Sequence, residues 1–189
     1  MLIAGVDEAG RGPLAGPVTV AAVILRDEIP GLDDSKKLSE AKRLTLAPQI
    51  MEQALAWSVI HVDVAVIDQI NILQATMQGM QQAVKALSTQ PDEVLVDGNK
   101  CPDFQLPAQA IIGGDGKVAA ISAASILAKS ARDALMTELH QEYPAYGFDR
   151  HKGYGTQQHL AVLKAQGPSP HHRKSFAPVR NLLQAEWLR

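Results

Sequence analysis

Three short apolar runs in this chain each lead to an acid, and that pattern constrains the fold more than anything else in the sequence. Leu2–Val6 runs straight into Asp7-Glu8. Residues 93–97 read EVLVD. Gln109–Ile112 is followed by Gly113-Gly114 and then Asp115. Short apolar runs bounded by turn residues predict buried strands. A carboxylate at the end of such a strand is costly to bury unless it is paired or bound to a metal. Ligand sites of open α/β sheets favour strand ends, so acids from three separate segments are expected to meet at one point. Two further strands are expected at Pro17–Leu25 and Trp57–Val62. Helices are expected over Glu40–Ala54 (capped by Ser39, with Pro48 kinking or dividing it), Val64–Gln69, Ile72–Leu87, Ile121–Glu142, Thr156–Lys164 and Val179–Leu188. Core candidates are Leu73, Met77, Met80, Val84 and Leu87 on one helix, and Ile126, Leu127, Ala131 and Leu135 on another. The sum is an α/β fold, a mixed five-stranded sheet flanked by helices with a helical C-terminal segment.

The chain has 189 residues, enough for one domain with its own core. Its one cysteine, Cys101, cannot form an internal disulfide and reads as a small filler. No run is long and apolar enough to span a membrane, and the N-terminus has no secretory pattern. A cytoplasmic monomer is therefore expected. Net charge is −2, which argues against sequence-blind coating of nucleic acid. The charge is segregated, however. Between Tyr143 and Arg180 the only acid is Asp149, against Arg150, Lys152, Lys164, Arg173, Lys174 and Arg180, with four histidines. Residues 143–189 thus read as a basic, substrate-binding segment of the one domain, facing a phosphate backbone. A merely solvated basic surface is the ordinary alternative.

Asp7, Glu8, Asp97 and Asp115 form the set to which chemistry is assigned. Each alone is an ordinary strand-end or turn acid, and Asp-Gly at 97–98 and 115–116 is common turn chemistry. Together they offer the oxygen ligands that hard divalent cations need. Two such ions can clamp an in-line displacement at phosphorus, and three or four carboxylates are the expected supply. No His-Cys set has zinc spacing.

The motifs GVDEAGRGPLAGPV (5–18), DDSKKLSE (33–40), NILQATMQGM (71–80), VDGN (96–99), ISAASILAKSARD (121–133), YGFDRHKGYGT (146–156) and HHRKSF (171–176) occur in this order over almost the whole chain. In that set the chain resembles bacterial ribonuclease HII, of the type 2 ribonuclease H family. The resemblance implies a ribonuclease H-like fold and hydrolysis of the RNA strand of RNA–DNA hybrids. It also implies incision 5′ of single ribonucleotides in duplex DNA, with Mn²⁺ or Mg²⁺ as cofactor and 3′-hydroxyl and 5′-phosphate ends as products. The family's four active-site acids fall on Asp7, Glu8, Asp97 and Asp115. The chain departs from the family at Gly113, where Lys-Gly-Asp is usual; a positive charge is lost and the backbone loosened. Ribonuclease HIII, the nearest relative, tends to carry Gly-Lys-Gly in place of Gly10-Arg11-Gly12. It also has an additional N-terminal domain, for which a first strand starting at Leu2 leaves no room. A catalytically silent nucleic-acid-binding module would not be expected to keep all four acids.

The 2′-hydroxyl distinguishes RNA from DNA. The resemblance gives the backbone of Gly10, Arg11 and Gly12 the task of reading it, and gives Tyr154 that of packing on the adjacent sugar. Lys36 and Lys37, at a helix start, can bind backbone phosphate or simply be solvated. Ser125, Lys129 and Arg132 fall on roughly one helix face, of which Ser125 and Lys129 are assigned to substrate. Arg173 and Lys174 are expected to touch phosphate. Partners are thus an RNA–DNA hybrid and a DNA duplex containing ribonucleotides.

Overall fold

The computed structural model describes residues 1–32 and 37–187. Lys36 and Leu188 lie outside the described residues. Five strands form one sheet: β1 (Ile3–Ala9), β2 (Val18–Ile24), β3 (Ala56–Val62), β4 (Glu93–Asp97) and β5 (Ala108–Ile111), in the order β3-β2-β1-β4-β5. The β1–β2 and β2–β3 pairs are antiparallel, whereas β1–β4 and β4–β5 are parallel. The mixed sheet therefore has its parallel half where the three acid-bearing segments run.

Helices cover both faces. They are α1 (Glu40–Gln53), α2 (Val64–Ile70), α3 (Ile72–Lys85), α4 (Ala119–Glu142), α5 (Phe148–His151), α6 (Gln157–Gln166) and α7 (Ala177–Glu186). Side chains alternate across a strand, and the two cores divide accordingly. Ala21 and Val23 pack with Ala123, Ala124, Ile126 and Leu127 of α4 and Leu46 and Ile50 of α1. Val6, Val20, Ala22, Val94 and Val96 pack with Met80, Ala83 and Val84 of α3. Strand β2 is buried along its whole length because it feeds both. Helix α4 lies very close to the sheet. A Cβ on Gly5 would stand 2.2 Å from the backbone carbon of Ala120, so only glycine allows this approach. The small residues at the start of α4 thus serve helix–sheet packing.

Several expectations shift by a residue or two at element ends, which fray. Helix α1, capped by Ser39 as read, runs through Pro48 without division; the helix supplies Pro48's preferred φ and forgoes one internal hydrogen bond. The buried stripe of α3 is Ala75, Thr76, Gly79, Met80, Ala83 and Val84, while Leu73 and Met77 are half-buried. On α4, Arg132 and Met136 are buried where Ala131 and Leu135 were expected. Helix α5 and the 3-10 turn at Gly114–Gly116 were not foreseen, because both are too short and too glycine-bounded to show periodicity. Among the described residues no helix is long and apolar enough to cross a membrane.

Candidate active site

The register brings the acids together. Val6 pairs with Val96 across the parallel β1–β4 ladder, so Asp7 and Asp97 are the next residues along neighbouring strands. Val6 and Val96 face α3, hence Asp7 and Asp97 face α4. Glu8, one residue on, turns to the α3 side. Beyond β5 the chain turns through Gly113, in the left-handed region at φ 67°, into the 3-10 turn. That turn brings the Asp115 amide to 3.2 Å from Asp97 Oδ1, to which it donates. The Ser122 hydroxyl donates to the Asp115 carbonyl and ties the turn to α4. All four acids line one open cleft of about 380 Å³, with Gly10, Arg11, Gly12, Ser125, Lys129, Arg132 and Tyr154. The sheet end read from the sequence is therefore one site.

Its electrostatics are those of uncompensated anions. Burial, then the charges of Glu8 and Asp97, push the Asp7 carboxyl well above the usual carboxylate range. The Glu8 amide and the Ser125 hydroxyl oppose this by donating to it. Burial likewise raises Glu8, against the lowering effect of Arg11. The Arg11–Glu8 pair is long at 3.8 Å, and Arg11 is exposed, so it offsets little. Glu8 Oε2 is buried without a hydrogen-bond partner. Among the described residues no three acidic, histidine or cysteine side chains already converge as a closed ligand cage. Like charges hold such side chains apart, and a hexacoordinate magnesium keeps water and substrate phosphate rather than an all-protein cage. An all-oxygen set, raised carboxyl groups and an orphaned carboxylate oxygen fit a hard divalent cation.

The loop after β1 is built without spare room. Gly10 has φ 88°, and a Cβ there would fall 2.0 Å from Arg132 Nε. Arg132 is buried and donates to the carbonyls of Pro17, Ala15 and Lys152. Arg173 is wholly buried and donates to the carbonyls of Gly10, Arg11 and Gly16. This corrects the assignment of Arg173 to phosphate: its donors are spent on the loop, and it touches no surface. Arg132 borders the cleft beside Ser125 and Lys129, but its guanidinium is likewise a strut, spent on backbone carbonyls. Tyr154 is half exposed, its ring edge 3.5 Å from where a Cβ on Gly12 would stand. Ser125 and Lys129 line the cleft. Lys37 and Lys174 are exposed and do not line it.

The basic character of the C-terminal segment is also thinner than its composition suggests. His151, His159 and His172 are buried, and burial lowers all three, His172 to about 3. They are neutral at pH 7 and contribute nothing to a phosphate-facing surface. Conversely, Asn99 and Lys100 escaped notice. With Glu8, Arg11, Asp97 and Thr76 they line a second cleft on the α3 side of the same acids. The signal in the sequence is VDGN followed by Lys100, at the end of the strand that carries Asp97.

A protein-family model described as Ribonuclease HII matches residues 4–179. The ribonuclease HII of Dechloromonas aromatica (strain RCB) is 60% identical over 184 residues, 96% of this chain and 94% of that protein. The crystal structure of ribonuclease H2 from Pyrococcus horikoshii OT3 matches at a TM-score of 0.82 and 26% identity, covering 100% of both chains. A ribonuclease HIII (Bst) solved in complex with Mn²⁺ matches in fold at a TM-score of 0.69 and 18% identity, over 100% of this chain and 71% of that one.

Proposed function

The chain belongs to the ribonuclease HII family, and from that premise we propose that it incises duplex DNA on the 5′ side of single embedded ribonucleotides. Membership makes it a ribonuclease H, a hydrolase of RNA in RNA–DNA hybrids. The finer reading adds two-ion hydrolysis with Mg²⁺ or Mn²⁺, leaving 3′-hydroxyl and 5′-phosphate ends. One observation carries it: the four acids share their cleft with Gly10-Arg11-Gly12 and Tyr154.

Asp7, Glu8, Asp97 and Asp115 would hold the ions, with Ser125 and the Glu8 amide orienting Asp7. Bound Mg²⁺ or Mn²⁺ supplies Lewis-acid polarisation of the scissile phosphate and a lowered pKa for the attacking water. The backbone of Gly10, Arg11 and Gly12 comes close enough to a sugar to hydrogen-bond a 2′-hydroxyl, a contact DNA cannot offer. Arg173 holds that backbone in place through the Gly10 and Arg11 carbonyls, and Arg132 holds the chain beyond it at Ala15 and Pro17. Tyr154, whose ring edge stands beside Gly12, packs on the neighbouring sugar. Lys129 is placed to meet backbone phosphate, with Lys37 and Lys174 as candidates at longer range and Lys36 kept as a candidate from the sequence. Residues 143–189 belong to the same catalytic unit, which acts as a monomer in the cytoplasm.

The direct test is a duplex with one ribonucleotide, incubated with metal omitted and then restored. Incision 5′ of the ribonucleotide only when Mg²⁺ or Mn²⁺ is present supports the reading; incision without metal overturns it. Tyr154→Ala separates sugar packing from catalysis. Loss of an aromatic stack is worth about 1–3 kcal/mol, so activity on single-ribonucleotide duplexes should fall about tenfold or more, and less on long hybrids. Equal losses on both substrates would remove Tyr154 from discrimination.

A further inference from the structure

Behind Tyr154 lies a chain of buried hydrogen bonds whose direction is fixed at both ends. The Ser169 amide donates to His172 Nδ1 at 2.9 Å. A backbone N–H can only donate, so His172 Nδ1 is unprotonated and its proton sits on Nε2. His172 Nε2 lies 2.9 Å from His159 Nε2. One nitrogen must donate and the other accept, so His172 donates and His159 Nε2 is bare. The remaining proton of His159 is then on Nδ1, which donates to the Tyr154 carbonyl at 2.8 Å. That carbonyl can only accept. Each step follows from the one before, and a single pair of neutral tautomers satisfies all of them.

Neighbouring bonds hold the same turn. His151 stacks on His159 with ring centroids 4.3 Å apart. His151 Nδ1 accepts from the Gly153 amide, while its Nε2–H donates to the Tyr146 carbonyl. The next residue after His172 is Arg173, which donates to Gly10 and Arg11. Two consecutive residues of one buried segment therefore reach two lining elements of the cleft: His172 through His159 to Tyr154, and Arg173 to the glycine loop. Tyr154's own side chain is half exposed, so its backbone does most to set where the ring stands.

We propose that His159 and His172 are positioning residues that, together with Arg173, set the gap between the Gly10–Gly12 loop and the Tyr154 ring and so tune selectivity for an embedded ribonucleotide. This rests on the reading that the ring packs on the substrate sugar. Neither histidine touches substrate. A small displacement at a reading element costs activity disproportionately, and it costs most on the substrate that relies on that element.

His159→Leu removes both bonds at similar volume. His159→Asn keeps an N–H near the Nδ1 position, aimed at the Tyr154 carbonyl, and loses only the link to His172. The readout is the ratio of kcat/KM on a single-ribonucleotide duplex to that on a long hybrid. We expect His159→Leu to lower this ratio about tenfold, and His159→Asn to restore most of it. Tyr154→Ala runs alongside. If it leaves the ratio unchanged, the sugar-packing reading fails and the proposal with it. If it lowers the ratio while a folded His159→Leu does not, the proposal alone is overturned. Ring ¹⁵N chemical shifts of the unmodified protein at pH 7 give a second test that no folding defect can obscure. His159 should be the Nδ1–H tautomer and His172 the Nε2–H tautomer; the reverse arrangement refutes the chain.

Discussion

Asp7→Asn is expected to lose nuclease activity by about 10³-fold or more and, without metal, to melt at a higher temperature than the unmodified protein. The two effects share one cause. Burial and the nearby Glu8 and Asp97 raise the folded-state pKa of Asp7 above its unfolded value. A carboxyl shifted in that direction contributes stability that is complete below the unfolded value, about 4. That contribution is lost as pH rises through the folded value. Above that folded value, ionised Asp7 therefore works against the fold, and asparagine removes that charge while keeping the shape. The melting advantage of Asp7→Asn should shrink as pH is lowered towards about 4. Divalent metal reverses the order. At a hundred times its dissociation constant a ligand adds about 2.7 kcal/mol, or about 5–10 °C for a chain of this size, and that gain should be largely absent in the variant. Thermal melts with and without Mg²⁺ or Mn²⁺, from pH 5 to 8, check the stability half. An incision assay checks the other. A fully active Asp7→Asn would remove Asp7 from the reaction.

Asp7, Asp97 and Asp115 were legible because the information is local. An apolar run ending in an acid predicts both the strand and the residue at its tip, and three such runs predict a shared edge. Strand register then does the rest, since Val6 opposite Val96 leaves no freedom in where Asp7 and Asp97 fall. The struts were not legible, for the opposite reason. The acceptors of Arg173 are carbonyls 157 to 163 residues earlier in the chain, and backbone carbonyls carry no residue-type signal. An arginine beside a lysine and two histidines looks like a phosphate contact in one dimension. The same limit hid the histidine chain, whose members are scattered over 151–172 and read as surface charge. Pattern reveals which face a residue takes; it does not reveal that a cation has been buried to organise a loop.

Arg173 offers the sharpest test of that distinction. It is charged at neutral pH, although burial and then the nearby Arg132 push it down to about 9. Its guanidinium stands over the Phe176 ring at 5.0 Å and serves three carbonyls. Arg173→Ala leaves those carbonyls without their donor, at about 1–3 kcal/mol for each unsatisfied buried group. The total expected loss is about 3–5 kcal/mol, and at about 2–4 °C per kcal/mol the melting temperature should fall by more than about 6 °C. Arg173→Lys should recover little, because one ammonium lacks the planar fork that meets three separated oxygens. A phosphate contact predicts something else. Losing one should flatten the slope of log affinity against log salt by about one, as expected for Lys129→Ala, which lines the cleft in the open. Arg173 should leave that slope unchanged in any variant that still folds. A normally stable Arg173→Lys with a flattened slope would return Arg173 to the substrate interface and make the loop carbonyls incidental.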